Sequence, residues 1–136
     1  MISVIIPIHN EEENIKKLSQ SILEALSNID FEVLFINDGS TDNSEEEIRS
    51  ISKNYSNMKL INLRRNYGQT AAMQAGFDYS KGDIVVPMDG DLQNDPKDIP
   101  ILIDKINEGY DVVSGWRKNR SDKKITRILP SKIANG

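Results

Sequence analysis

An α/β fold, mainly a parallel sheet flanked by helices, is what this sequence predicts. Three observations carry that prediction. Short β-branched runs alternate with longer amphipathic stretches. The short runs are almost continuously apolar, as in strands covered on both faces. No internal repeat, low-complexity tract or interdomain linker interrupts the alternation. The chain has 136 residues, 38% of them apolar, which suits one globular unit over 1–136.

The elements follow in order. "ISVIIPI" (2–8) is the first predicted strand. After it, Ile15, Leu18, Ile22, Ala25 or Leu26 and Ile29 recur at three- and four-residue steps, the stripe of an amphipathic helix. Asn10 is its expected N-cap, with Glu11, Glu12 and Glu13 in the first turn. "FEVLFIN" (31–37) is the second strand, and a helix beginning near Asn43 or Ser44 carries Glu45 to Glu47 at its positive end. "KLINL" (59–63) is the third strand. "GQTAAMQAGFDYS" (68–80) is a helix whose Gly and Ala content suits close packing on a neighbour. "DIVVPM" (83–88) is the fourth strand, followed by a helix over 97–108 that stops at Gly109, and then by "DVVSGW" (111–116) as a fifth.

Composition narrows the chemistry. There is no cysteine and only one histidine, His9, which excludes disulfides, thiolate-held metals and histidine clusters. Any metal must therefore be a hard cation held by oxygen. The formal net charge of −4 hides an asymmetry: residues 1–116 carry ten basic and twenty acidic side chains, whereas 117–132 carry seven basic and one acidic. Residues 117–136 thus form a basic tail, suited to solvent, to phosphates or to an anionic membrane surface. No apolar run approaches a membrane span, and "MISVIIPI" lacks the basic flank of a signal peptide, so the chain is expected to be soluble.

In a parallel α/β sheet the ligand sits beyond the carboxyl ends of the strands. Three loops should meet there: "PIHNEEEN", "NDGSTDNS" and "DGDLQNDP". The first has Pro7 and three glutamates in place of a glycine-rich phosphate loop, which excludes dinucleotide and P-loop fingerprints and favours a neutral group such as a base or ribose. The third fails as a calcium-binding EF-hand, since its sixth residue is Asn94 and its twelfth Pro100. An extended backbone would point Asp89, Asp91 and Gln93 the same way, suiting Mg²⁺ or Mn²⁺ with a substrate's phosphates. A turn that only starts a helix at Pro96 and Asp98 is the simpler alternative, and Asp95 belongs to that turn.

"VIIPIHNEEENI", "VLFINDGSTDNS", "RRNYGQTAAMQAGFDYSKGDIVVPMDGDLQNDP" and "DVVSGWR" together resemble, in order and spacing over residues 2–120, inverting family 2 glycosyltransferases of the GT-A fold. Within them the polyisoprenyl-phosphate glycosyltransferases, of the dolichol-phosphate mannose synthase type, are the most similar. The resemblance implies a Rossmann-like nucleotide-sugar-binding domain, the N-terminal part of a longer catalytic domain. Pro7, His9, Glu11, Ile36 and Asp38 match nucleoside-contacting positions, with His9 standing where relatives have tyrosine and Asn37 where they have aspartate. Asp89, Gly90 and Asp91 match the Asp-x-Asp signature, which makes Asp89 and Asp91 the catalytic candidates. Asp89, Asp91 and Gln93 match the metal positions, for Mg²⁺ or Mn²⁺, and Arg117 matches an arginine near the diphosphate or acceptor phosphate. Arg64 and Arg65 follow the third strand and are further candidates for phosphate.

The implied reaction moves a sugar from a UDP- or GDP-linked donor to a polyprenyl phosphate or saccharide, with inversion, at the cytoplasmic face of a membrane. Nucleic acid is not an expected partner. A nucleotide-binding module without catalysis and a metal-dependent nucleotidyltransferase are the alternatives; the acidic first loop opposes the second of these.

Overall fold

The structure, a computed structural model, describes residues 1–107. The predicted strand at 111–116, the helix end at Gly109, Arg117 and the basic tail lie outside the described residues. The elements are β1 (Ile2–Ile8), α1 (Ile15–Ala25), β2 (Phe31–Asn37), α2 (Ser44–Asn54), β3 (Met58–Asn62), α3 (Gln69–Tyr79), β4 (Ile84–Pro87) and α4 (Asp98–Asn107). Four parallel strands form one sheet in the order β3-β2-β1-β4.

β1 and β2 are buried along nearly their whole length because each has a strand on both edges and helices on both faces. Alternate residues feed two cores. Val4, Ile6 and Ile8 of β1 and Val33 and Phe35 of β2 pack with Ile15, Leu18, Ile22, Ile48, Ile99 and Ile106 from α1, α2 and α4. On the opposite face Ile5, Leu34, Ile36 and Val85 meet Ala72 and its neighbours from α3. Burying an Ile or Leu of this kind contributes about 1.5–3 kcal/mol. The close seat expected of α3 is present: a Cβ at Gly76 would collide with the Ile5 side chain.

Two expectations shift. β3 begins one residue earlier than predicted and is only half-buried, because it lies at the sheet edge. Asn10 does not cap the first helix: α1 starts at Ile15 with Asn14 as its cap residue, so no glutamate lies in its first turn. Asn10 instead adopts φ 56°, and its side chain is committed to the neighbouring loop. The second helix does begin at Ser44 with Glu45, Glu46 and Glu47 in its first turn, where the positive end of the helix favours them.

Candidate functional site at the carboxyl end of the sheet

β1 is the point where strand order reverses, with β2 on one side and β4 on the other. Loops diverge from such a switch point and leave a crevice at the carboxyl end of the sheet. A cleft of ≈ 300 Å³ occupies it, lined by Pro7, Ile8, His9 and Glu11 after β1, Asp38 after β2, and Asp89, Gly90 and Asp91 after β4. The loop after β3 supplies Asn66, Gly68 and Gln69, so four loops meet where three were expected.

Side chains bound to backbone hold this rim together. The Asn10 carboxamide oxygen accepts from the backbone N–H of Thr41 at 2.7 Å and of Asp42 at 3.3 Å. Glu11 N–H donates to Ser44 Oγ at 2.9 Å and Glu12 N–H to Asp42 at 3.2 Å. Burial pushes the Asp42 carboxyl up, yet hydrogen bonds from the Ser44 hydroxyl and from the backbone N–H groups of Ser44 and Glu12 outweigh it, holding Asp42 below the usual carboxylate range. The first two loops are thereby one unit.

Asp38 is buried, and its carboxylate accepts from Tyr67 N–H at 2.7 Å and Gly68 N–H at 2.9 Å. It therefore pins the loop after β3 across the cleft. Gly39 makes this possible: its φ of +68° is a region L residues avoid, and a Cβ there would overlap the backbone of Arg65 and Asn66. His9 Nδ1 lies 2.9 Å from the Asp38 carbonyl oxygen, which can only accept, so Nδ1 carries the proton. Nε2 lies 3.4 Å from the Asn66 carboxamide nitrogen. Asn37 is buried beside Asp38; its Oδ1 accepts from Ser40 N–H, three residues on, at 3.2 Å, and its amide donates to Asn62 at 2.9 Å.

The loop after β4 departs from the extended path that would have aligned Asp89, Asp91 and Gln93. It turns at Gly90 and Asp91, and Leu92 takes φ 67°. That conformation costs about 1–2 kcal/mol for a residue with a Cβ. Asp89 and Asp91 still face one cleft, whereas Gln93 is exposed and outside its lining, its backbone N–H donating to Asp91 Oδ1 at 3.2 Å. Gly90 packs against Ile8 with no space for a Cβ. Gln69 Nε2 reaches Asp89 Oδ1 at 3.5 Å. Ile36 is fully buried among the side chains under α3, so it supports the floor and presents no side chain to the cleft. Arg64 and Arg65 are exposed and outside the lining; Arg65 stacks on the Tyr67 ring at 5.0 Å.

Among the described residues no three His, Cys, Asp or Glu side chains gather into a metal cage. Two carboxylates on one cleft fit a different arrangement, in which Mg²⁺ or Mn²⁺ is shared between one or two protein carboxylates and a ligand's phosphates. Asn66, Gly68 and Gln69 are the site residues that the sequence reading missed. The rule placing ligands at strand ends applies to the third strand too, and would have found them. Among the described residues no helix is long and apolar enough to cross a membrane.

Known proteins are similar to this chain in sequence and in fold. A dodecaprenyl-phosphate galacturonate synthase of Rhizobium johnstonii is 40% identical over 98% of this chain and 41% of its own length. An undecaprenyl-phosphate 4-deoxy-4-formamido-L-arabinose transferase of Pseudomonas fluorescens is 39% identical over 98% of this chain and 40% of its own. The chain thus spans about two fifths of the length of these curated relatives. Among solved structures, glucosyl-3-phosphoglycerate synthase of Mycobacterium tuberculosis, in complex with Mn²⁺, UDP and phosphoglyceric acid, superposes with a TM-score of 0.66 at 26% identity, over 82% of this chain and 40% of that one. The fold is of the GT-A type, and residues 3–134 match the model of one family. This chain belongs to glycosyl transferase family 2.

Proposed function

We propose that this chain is the donor-binding part of a longer catalytic domain, which transfers a sugar from a UDP- or GDP-linked donor to a polyprenyl phosphate with inversion. The observation that carries this reading is the convergence of His9, Glu11, Asp38, Asp89 and Asp91 on one cleft at the switch point of the sheet. The names of the two relatives, both polyprenyl-phosphate sugar transferases, support the acceptor class. The Mn²⁺ and UDP in the mycobacterial structure support a divalent cation and a nucleoside diphosphate.

The residues divide the work. His9, fixed in one tautomer by Asp38, offers an aromatic face and Pro7 an apolar one against the base. Glu11 and Asp38 stand where the nucleoside would enter, and Gly90 lets it approach the backbone closely. Asp89 and Asp91 would hold the cation, with Gln93 able to join only if its side chain turned inward. When bound, Mg²⁺ or Mn²⁺ would neutralise the charge that develops on the departing diphosphate. A lipid phosphate is already ionised near neutral pH, so the acceptor needs little help from a general base. In this reading Arg117 meets phosphate, and the basic tail 117–136 lies against an anionic membrane on its cytoplasmic side.

Calorimetry of the full chain with UDP and GDP, each with and without Mn²⁺, is the test. Binding of one nucleotide that strengthens with Mn²⁺ and falls away in Asp91→Ala is expected. Failure of both nucleotides to bind overturns the reading.

A further inference from the structure

The structure assigns Asn94 a role that rests on the reading above: it is the positioning residue that holds Asp89 and Asp91 in register for the cation. Regular pairing of β4 ends at Met88, whose N–H donates to Ile5 O at 2.9 Å. The next N–H, that of Asp89, goes to a side chain instead: Asn94 Oδ1 accepts it at 3.0 Å. One hydrogen bond therefore ties the first residue of the loop 89–94 to its last. Asn94 is 9% exposed while Asp91, Leu92 and Gln93 around it are exposed, so a carboxamide is buried in the least regular part of the fold. Burial of a polar side chain is tolerated when its hydrogen bonds are made, and one of those made here is to the loop backbone.

The closure explains two other features. Within six residues the chain must leave β4 and return, which forces the turn at Gly90 and Asp91 and the positive φ of Leu92. Gln93 N–H then falls to Asp91 Oδ1 at 3.2 Å and fixes which way that carboxylate faces. Asp95 lies beyond the closure and serves the helix start, its Oδ1 accepting from Lys97 N–H at 3.0 Å. Asn94 does not line the cleft, and its bond to the Asp89 backbone is the route by which it would act on the carboxylates. Outer residues of this type typically alter metal affinity by 10–100-fold.

Two variants of the full chain test the assignment, Asn94→Ala and the near-isosteric Asn94→Asp, which keeps an acceptor oxygen. The Asp89 amide proton is followed by NMR hydrogen exchange in metal-free protein, and free Mn²⁺ is titrated by electron paramagnetic resonance with UDP and separately with GDP. In Asn94→Ala the Asp89 amide should lose protection and the Mn²⁺ dissociation constant should rise about tenfold or more, with metal-free nucleotide affinity within about twofold of wild type. Asn94→Asp should restore both readouts to within about threefold. Unchanged Mn²⁺ affinity in Asn94→Ala, a still-protected Asp89 amide, or equal loss of metal-free and metal-dependent binding overturns the assignment. Absence of Mn²⁺ binding by the wild-type chain overturns both this assignment and the functional reading beneath it.

Discussion

The two ends of the sheet use carboxylates in opposite ways. At the amino end Glu32 is 2% exposed, and its oxygens accept from Ser3 Oγ at 2.6 Å, Lys81 N–H at 2.8 Å and Lys59 Nζ at 3.0 Å. Ser3 Oγ in turn accepts from Gly82 N–H at 2.8 Å, so the cluster fastens the start of β4 to β1 and β2. Burial raises the Glu32 carboxyl, but the Ser3, Lys81 and Lys59 contacts outweigh it and hold the pKa below the ordinary 4.5. At the carboxyl end Asp91 is exposed on a cleft lip and Asp89 half-exposed. Asp38 stands between the two kinds, buried and saturated like Glu32 yet lining the cleft. A carboxylate walled in by protein donors is a structural joint, whereas one aimed into a crevice is available to a ligand.

Removing the joint should have the largest effect. Glu32→Ala leaves the buried Ser3 hydroxyl and the partly buried Lys81 N–H without this acceptor and should lose about 3 kcal/mol of unfolding free energy in urea titrations. Nucleotide binding by the folded fraction should stay intact; if it fails, the two ends are not separable. Asp38→Ala should lose about 2 kcal/mol by the same measurement, from the lost bonds to Tyr67 N–H and to Gly68 N–H, the latter keeping Asn66 Oδ1 at 3.1 Å, and should weaken nucleotide binding as well. A loss of only one property would assign Asp38 to one end.

Asp91→Ala should weaken Mn²⁺-supported nucleotide binding about tenfold, or about 1.4 kcal/mol, with an unchanged melting temperature. Arg49→Ala marks the floor: its exposed i,i+4 pair with Glu45 at 2.8 Å should be worth under about 0.5 kcal/mol. Acid gives the comparison a further axis. Because the Glu32 pKa is depressed on folding, its contribution is fully present above the unfolded value of 4.5 and is lost as pH falls through the lower folded value. Glu32→Gln should therefore flatten the acid limb of melting temperature against pH below 4.5, and an unchanged limb would remove Glu32 from acid stability.

Local pattern made much of the fold legible. β1 and β2 fall at their predicted ends because continuous apolar runs bounded by polar turns leave little freedom of placement. The helical stripe through Ile15, Leu18 and Ile22 is buried as read. Where reading failed, a distant partner had overridden local preference. Asn10 followed by three glutamates imitates a helix start, but the carboxamide finds Thr41 and Asp42 some thirty residues away. Leu92 gives no hint of a left-handed turn, since leucine disfavours it; it lies inside the loop that the Asp89–Asn94 hydrogen bond closes. Glu32 did leave a trace, as the one charged residue in "FEVLFIN", and its register opposite Ser3 became visible only once the strands were paired.

The strand order has a consequence in time. β1 pairs with β2 about thirty residues downstream, but its other edge waits for β4, whose Ile84 pairs with Ile2. At ribosomal rates of about 5–20 residues per second, the roughly fifty residues between β2 and β4 take about 3–10 s to emerge. Throughout that interval a strongly apolar strand carries an unpaired edge, a template for adhesion to other chains. The cleft cannot exist before β4 arrives to close it, so no ligand held there can shelter that edge during synthesis. The nascent chain must rely on dilution or on chaperones until the fourth strand docks.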